Sequence, residues 1–208
     1  MDYSLYLVTD GFNFNEEEFL QRVEQAIQAG VTLVQYRDKD VSTNEAYQLA
    51  LKIQKITNRY DVPLIINDRL DICLAIDADG IHIGDDELPV HVVRKLLGPD
   101  KIIGVSAKTV ERSNEAENEG ADYLGVGAIF PTNTKDSDVI PLSLLEEITH
   151  EVSIPVVAIG GLKLNNVEFL SGINIEGISL VSEIMLAEDI NQTVQALLDK
   201  IEKIKEEQ

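Results

Sequence analysis

Two cations and an amide alternate at one point of the sequence and could together hold a polyanion. Single residues separate Gln35, Arg37 and Lys39, so in an extended strand all three side chains point the same way. A guanidinium and an ammonium group beside an amide suit a ligand such as pyrophosphate. The competing interpretation is a solvated strand end whose cations pair with Asp38 and Asp40. The triplet is therefore a candidate anion site, with the solvated alternative open.

Carboxylates follow the next two apolar runs. Asp68 comes directly after the third run, and Asp85, Asp86 and Glu87 come after the fourth. Such hard oxygen ligands hold Mg²⁺, which in turn bridges to substrate phosphates. Each carboxylate could instead open a helix, Asp68 the third and Asp86 or Glu87 the fourth, just before Pro89. Their position beside the cationic triplet favours the metal.

Hydroxyl groups, glycines and a further cation follow the later runs. A serine ends the fifth run, two threonines and a lysine follow the sixth, a pair of glycines follows the seventh, and a serine follows the eighth. These residues are Ser106, Thr132, Thr134, Lys135, Gly160, Gly161 and Ser182, and the last of them follows Val181. Barrels of parallel strands bind phosphate with the loops after strands 7 and 8. The pattern therefore predicts a second anion site.

Eight short apolar runs, bounded by Gly, Asn, Asp and Pro, must position these groups. They are Leu5–Thr9, Leu33–Tyr36, Leu64–Ile66, Gly80–Ile83, Ile102–Ser106, Tyr123–Val126, Pro155–Ile159 and Gly177–Val181. Helical patterns lie between them, one of them opened by Ser42 and Glu45 at capping-box spacing. This alternation predicts an α/β fold, a single (β/α)8 TIM barrel over residues 1–208 with the active site at the C-terminal ends of its strands. A doubly wound open sheet is the competing topology.

Composition excludes several classes of function. The 208 residues include 17 Lys and Arg against 37 Asp and Glu, a formal net charge of −20. Such acidity disfavours nonspecific nucleic-acid binding and contact with anionic membranes. With one cysteine, no signal-peptide pattern and no long apolar stretch, a cytoplasmic protein is expected. Small molecules are the expected partners, and a homo-oligomer stays open.

Four residues with reactive side chains are given structural roles. Cys73 lies in an apolar stretch and is predicted to be a core residue of the third helix, while His91 and His150 are predicted on helix surfaces. His82 is expected to pack near the fourth strand rather than act as a base. Because the sequence offers no convincing nucleophile and base pair, the predicted site serves anions and a metal.

Seven ordered segments carry a resemblance that covers nearly the whole chain. They are LYLVTD (5–10), VQYRDK (34–39), INDRLDICLAIDADGIHIG (66–84), GVSAKT (104–109), GVGAIFPTNTK (125–135), AIGG (158–161) and GISLVSEI (177–184). In these the chain resembles the thiamine phosphate synthase family. The resemblance implies a Mg²⁺-dependent (β/α)8 transferase that joins a hydroxymethylpyrimidine pyrophosphate to a hydroxyethylthiazole phosphate.

The resemblance also implies three groups of site residues. Gln35, Arg37, Lys39, Asn67, Ser106 and Lys135 would hold the pyrimidine pyrophosphate; Asp68 and Glu87 would bind Mg²⁺; and Thr132, Thr134, Gly161, Val181 and Ser182 would hold the thiazole phosphate. Of these, Arg37, Lys39, Ser106 and Lys135 are the expected catalytic residues. Neutralising a pyrophosphate leaving group and positioning two substrates is all the chemistry requires, because the thiazole nitrogen already carries a lone pair.

Two departures from the family pattern leave alternatives open. The segment His82-Ile83-Gly84-Asp85-Asp86-Glu87 replaces His-x-Gly-Gln-x-Asp, so any of its three carboxylates could bind the metal. Glu183 follows Ser182 where a small residue is usual, and a carboxylate pointing into the site would repel a phosphate. The competing functions are a related isomerase of a thiazole phosphate and a noncatalytic binder of thiamine precursors.

Overall fold

Eight parallel strands close into a barrel in the order β1 to β8. The structure is a computed structural model that describes residues 1–39, 41–132 and 138–207. The strands are β1 (Leu5–Val8), β2 (Leu33–Tyr36), β3 (Leu64–Asn67), β4 (Gly80–Ile83), β5 (Ile102–Ala107), β6 (Tyr123–Val126), β7 (Val156–Ile159) and β8 (Gly177–Leu180). Pairing of β1 with β8 closes the sheet, which confirms the barrel and rules out an open sheet.

Helices alternate with the strands around the outside of the barrel. They are α1 (Glu16–Ala29), α2 (Thr43–Arg59), α3 (Leu70–Ile76), α4 (Val90–Leu97), α5 (Val110–Asn118), α6 (Leu142–Glu151), α7 (Ser182–Met185) and α8 (Ile190–Glu206). A short 3-10 helix, Val167–Leu170, stands between β7 and β8. The predicted capping box of Ser42 and Glu45 opens α2. In the part of the chain that the structure describes, no helix has both the length and the apolar character needed to cross a membrane.

Alternating strand side chains divide the core into two layers. One set points outward and packs under the helices, as Val34 and Tyr36 do on β2. The other fills the barrel interior, where the apolar cluster contains Tyr3, Tyr6, Val8, Leu33, Ile65, Tyr123 and Val157. On β2 this alternation turns Gln35 inward, into the interior that lies below the mouth of the barrel.

Three of the four residues given structural roles lie away from the strand ends, as predicted. Cys73 is buried in α3, where burial raises the pKa of its thiol to about 12, so the reactive thiolate is disfavoured. His91 is exposed on α4 and pairs with Glu119, and His150 is exposed on α6 and bonds to the Glu146 carbonyl of its own helix. The fourth, His82, is buried on β4 as expected, but it lies inside the barrel.

Candidate active site

The guanidinium that follows β2 is held from the neighbouring strand. An Nη of Arg37 donates to Asp10 Oδ2 at 3.1 Å, and the Arg37 backbone N–H donates to Thr9 Oγ1 at 3.1 Å. Only 15% of the Arg37 side chain is exposed. Asp10 was not among the predicted site residues, although it ends the LYLVTD segment directly after β1. It fixes Arg37 at the mouth of the barrel, where an anion would enter.

A second cation lies opposite a carboxylate from the next strand. Lys39 Nζ is 3.6 Å from Asp68 Oδ2, and half of the lysine side chain is exposed. Asp68 adopts a left-handed backbone with φ of 60°, and its N–H donates to the His82 carbonyl, which ties the ends of β3 and β4 together. Arg37 and Lys39 thus pair with Asp10 and Asp68, carboxylates that follow β1 and β3.

The capping alternative for these carboxylates is wrong. Helix α3 starts after Arg69, which makes no side-chain cap, and α4 starts after Pro89, which makes none either. Glu87 instead folds back on its own loop, where its Oε2 accepts from the Gly84 N–H at 2.7 Å. Capping therefore does not account for Asp68 or Glu87.

The structure distinguishes the three carboxylates that follow β4, those of Asp85, Asp86 and Glu87, by the partners of their side chains. Asp85 pairs with Arg112 of α5 at 2.8 Å, which directs its carboxylate to the helix layer. Among the described residues, no group of three or more His, Cys, Asp or Glu side chains is close enough to hold a metal ion. One or two carboxylates could hold a metal at this mouth, with substrate and water completing its shell, as Mg²⁺ commonly does.

A continuous line of hydrogen bonds runs through the barrel interior and ends at two predicted site residues. Gln35 Nε2 donates to Tyr6 Oη at 2.7 Å, and the Tyr6 and Tyr123 hydroxyls are 2.8 Å apart. Tyr123 Oη lies 2.9 Å from His82 Nδ1, and His82 Nε2 lies 3.0 Å from Ser106 Oγ. Burial raises the pKa of both tyrosines, so both phenols stay protonated near neutral pH. We call these five residues the interior network.

Sequence reasoning found only the two ends of the interior network. The middle members Tyr6 and Tyr123 resemble ordinary core residues in the sequence, and the prediction of a packing role for His82 did not include its hydrogen bonds. The only available signal was that Tyr6 and His82 occupy inward positions of β1 and β4, facing the same interior as Gln35. Asn67, another predicted site residue, is the last residue of β3 and is partly buried beside this region.

The loops after β6, β7 and β8 approach one another at the second predicted anion site. The Phe130 N–H donates to the Gly160 carbonyl, and a Cβ on Gly161 would lie 2.4 Å from the Phe130 carbonyl oxygen. Gly161 also has φ of 66°, a conformation that L side chains rarely adopt. Val181 and Ser182 follow β8 at the start of α7. Thr132 lies at the end of the described segment, whereas Thr134 and Lys135 lie outside the described residues.

The carboxylate of Glu183 has a partner in the backbone. Glu183 Oε1 accepts from the Leu164 N–H at 2.9 Å, which joins the start of α7 to the loop after β7. Asn166 Nδ2 donates to the Gly161 carbonyl in the same loop. The Glu183 side chain thus joins the start of α7 to the loop that follows β7.

Comparison with known proteins agrees with this geometry. Residues 5–184 match the family model described as thiamine monophosphate synthase. The chain belongs to the thiamine monophosphate synthase family. It is 61% identical to the thiamine-phosphate synthase of Enterococcus faecalis over 97% of this chain and 96% of that protein. It is 57% identical to thiamine-phosphate synthase 2 of Streptococcus pneumoniae over 96% of each chain.

A solved structure extends the likeness to three dimensions. Thiamine phosphate pyrophosphorylase from Pyrococcus furiosus superimposes with a TM-score of 0.88 at 37% identity, covering 97% of this chain and 96% of that one. Membership of the thiamine monophosphate synthase family makes the chain an enzyme, a transferase of thiamine biosynthesis. The family resemblance drawn from the seven sequence segments is therefore confirmed.

Proposed function

We propose that this protein condenses 4-amino-2-methyl-5-(diphosphomethyl)pyrimidine with 4-methyl-5-(2-phosphoethyl)thiazole to give thiamine phosphate and pyrophosphate. The observation that carries the proposal is the meeting of Arg37, Lys39 and Asp68 at the mouth of a barrel of this family. The two cations match the charge of a pyrophosphate, and the carboxylate suits a metal ion. A pyrophosphate bound with a metal ion uses both.

Arg37 and Lys39 are the groups we assign to the pyrophosphate. Arg37 is largely buried and fixed by Asp10, so its guanidinium is oriented before the substrate arrives. Lys39 is half-exposed and can move from Asp68 onto a phosphate oxygen. Fixed cations at a leaving group stabilise the charge that develops as its bond breaks. Lys135, assigned to the same substrate by the family resemblance, keeps that assignment as a proposal.

Asp68 and Glu87 are the residues that would hold Mg²⁺. Their carboxylates are hard oxygen ligands that follow adjacent strands, and one or two such ligands with substrate phosphates suit this ion. When bound, the ion would neutralise pyrophosphate charge and so make it a better leaving group. Glu87 would keep its contact with the Gly84 N–H, since a carboxylate can accept several bonds.

The reaction requires the protein to position two substrates and does not require it to transfer a proton. Departure of pyrophosphate breaks a C–O bond and leaves a pyrimidinylmethyl cation, and the lone pair of the thiazole nitrogen then forms the new C–N bond. No proton is lost in these steps, so the chemistry does not require a nucleophile activated by a base. Gln35, Asn67 and Ser106 would hold the pyrimidine, and Thr132, Thr134, Gly161, Val181 and Ser182 the thiazole phosphate.

A direct assay tests the proposal. Purified protein is mixed with both phosphorylated substrates, with and without Mg²⁺, and thiamine phosphate and pyrophosphate are followed by mass. We expect both products to form only when Mg²⁺ is present. Folded protein that binds each substrate and forms no product would contradict the proposal and favour the noncatalytic binder. Isomerisation of the thiazole phosphate alone would favour the isomerase.

Replacing Glu183 distinguishes support of the loop from repulsion of the phosphate. Glu183→Ala removes the acceptor of the Leu164 N–H, and we expect the KM for the thiazole phosphate to rise by about tenfold while the KM for the pyrimidine pyrophosphate stays unchanged. Glu183→Gln keeps an acceptor oxygen and should restore most of the affinity. Initial rates at saturating pyrimidine substrate measure both. A KM below that of the unaltered protein in Glu183→Gln would mean that the carboxylate repels the phosphate.

A further inference from the structure

The middle of the interior network has no assigned role, although both of its ends do. Gln35 and Ser106 stand on β2 and β5, three strands apart around the barrel, and Tyr6, Tyr123 and His82 connect them through the interior. We propose that these three connecting side chains are positioning residues that set which hydrogen-bonding groups Gln35 and Ser106 present to the pyrimidine ring. This inference rests on the proposed function for the identity of the ligand.

The direction of the first bond constrains the protons of the groups that follow it. Gln35 donates to the Tyr6 oxygen, and either hydroxyl could donate in the bond between Tyr6 and Tyr123. If each buried proton is to have an acceptor, the Tyr6 proton is assigned to Tyr123 and the Tyr123 proton to His82 Nδ1. The imidazole is then protonated on Nε2 and donates to Ser106 Oγ. The Ser106 hydroxyl can then donate its own proton to a ligand at the mouth of the barrel, and the Gln35 carbonyl oxygen can accept a hydrogen bond from one.

This arrangement presents an acceptor on one side of the barrel and a donor on the other. A 4-aminopyrimidine offers the complementary pair, an exocyclic amine that donates and a ring nitrogen that accepts. Reversing every bond of the interior network would make Gln35 the donor and Ser106 the acceptor. The network therefore fixes which edge of the pyrimidine faces β2 and hence where the reacting methylene points.

The neighbouring strands leave room for these side chains. A Cβ on Gly104 would lie 2.0 Å from Cζ of Tyr123, and a Cβ on Gly125 would lie 3.0 Å from Cε1 of His82. Any larger residue at position 104 would therefore displace the Tyr123 ring. The ring of Tyr3 also packs against Tyr123, with centroids 5.0 Å apart. These contacts hold the Tyr123 ring and the His82 imidazole in the geometry that their hydrogen bonds need.

Tyr123→Phe tests the proposal, because it removes the central hydroxyl and keeps the ring. We expect kcat/KM for the pyrimidine pyrophosphate to fall by roughly 10- to 100-fold, since small misplacements at a reacting centre have effects of this size. The KM for the thiazole phosphate should stay within about twofold. Tyr3→Phe is the matched control, the same change on the adjacent ring outside the interior network, and should leave both parameters within about twofold.

A double variant separates positioning from general loss of packing. If Tyr123 acts through Ser106 and Gln35, adding Tyr123→Phe to Ser106→Ala should slow the reaction by a smaller factor than Tyr123→Phe alone slows the unaltered protein. Effects that multiply, or a Tyr123→Phe variant that behaves like Tyr3→Phe, would overturn the proposal. Calorimetric affinity for the pyrimidine pyrophosphate is measured alongside. If the unaltered protein binds this substrate but forms no thiamine phosphate, that result contradicts the proposed function alone. The effect of Tyr123→Phe on affinity then still tests the positioning role.

Direct observation of the imidazole covers the case in which Tyr123→Phe does not fold. The chain contains 3 histidines, so His91→Asn with His150→Asn leaves His82 as the sole ¹⁵N-histidine signal. The network predicts the tautomer with hydrogen on Nε2 in the otherwise unaltered protein. Hydrogen on Nδ1 would reverse the direction of the bonds and overturn the assignment.

Discussion

Asp68→Asn should reduce Mg²⁺-dependent kcat by at least about 10³-fold while leaving the fold intact. The change removes one negative charge and keeps the size of the side chain, so a cation loses its carboxylate ligand at the mouth of the barrel. Asparagine is chosen because Asp68 has φ of 60°, a conformation that asparagine tolerates and alanine does not. Steady-state rates over a Mg²⁺ titration measure the loss, and circular dichroism with thermal melting checks the fold.

Asp61→Asn is the matched control for Asp68→Asn. Asp61 has a closely similar φ of 54° and is exposed in the connection between α2 and β3, at the opposite end of the barrel. It therefore reproduces the change of charge and the backbone conformation without touching the mouth. We expect unaltered turnover in this variant. Asp68→Asn with the kcat and Mg²⁺ dependence of the unaltered protein would contradict the metal assignment.

Arg37→Met should lower kcat/KM for the pyrimidine pyrophosphate by about 10³-fold, a loss of about 4 kcal/mol of transition-state stabilisation. Methionine keeps the unbranched, apolar part of the side chain, whereas the guanidinium that faces the leaving group is lost. Most of the effect is expected in kcat, because charge develops on pyrophosphate only as the bond breaks. Rates at varied pyrimidine pyrophosphate and saturating thiazole phosphate separate kcat from KM.

The control for Arg37→Met is Arg59→Met at the end of α2. Arg59 also pairs with a carboxylate, that of Glu24, but 61% of its side chain is exposed and it lies at the far end of the barrel. Surface ion pairs contribute little to stability, so both activity and melting temperature should be preserved. If Arg37→Met kept its kcat, the guanidinium would not act on the leaving group. Asp10→Asn is a milder change, because it keeps the guanidinium of Arg37 and removes the charged carboxylate that pairs with it.

Strand and helix positions follow from local sequence, and here they could be predicted closely. Each of the eight strands begins and ends within one residue of the predicted run, because runs of buried apolar residues between Gly, Asn, Asp and Pro mark parallel strands. The capping box at Ser42 and the left-handed Gly30 after α1 are equally local signals. The eightfold alternation of strand and helix favoured a closed barrel, and the pairing of β1 with β8 in the structure rules out the open sheet.

The sequence could predict those residues of the candidate site that are charged or polar and directly follow a predicted strand. Arg37, Lys39 and Asp68 follow strands β2 and β3, and parallel strands bring their carboxyl ends to one face, so their proximity could be inferred before any contact was known. The sequence could not rank Asp85, Asp86 and Glu87, because the direction of each carboxylate depends on partners such as Arg112 of α5, which lies on another element.

The sequence by itself determined the family, the barrel and the polar residues that stand at the ends of its strands. Only the tertiary structure decided where those side chains point and what holds them. Glu183 accepts a hydrogen bond from the Leu164 N–H, and Tyr123 joins His82 to Tyr6, which is 117 residues from Tyr123 in sequence. Such bonds depend on closure of the sheet and on the space left by Gly104 and Gly125, which no local pattern encodes.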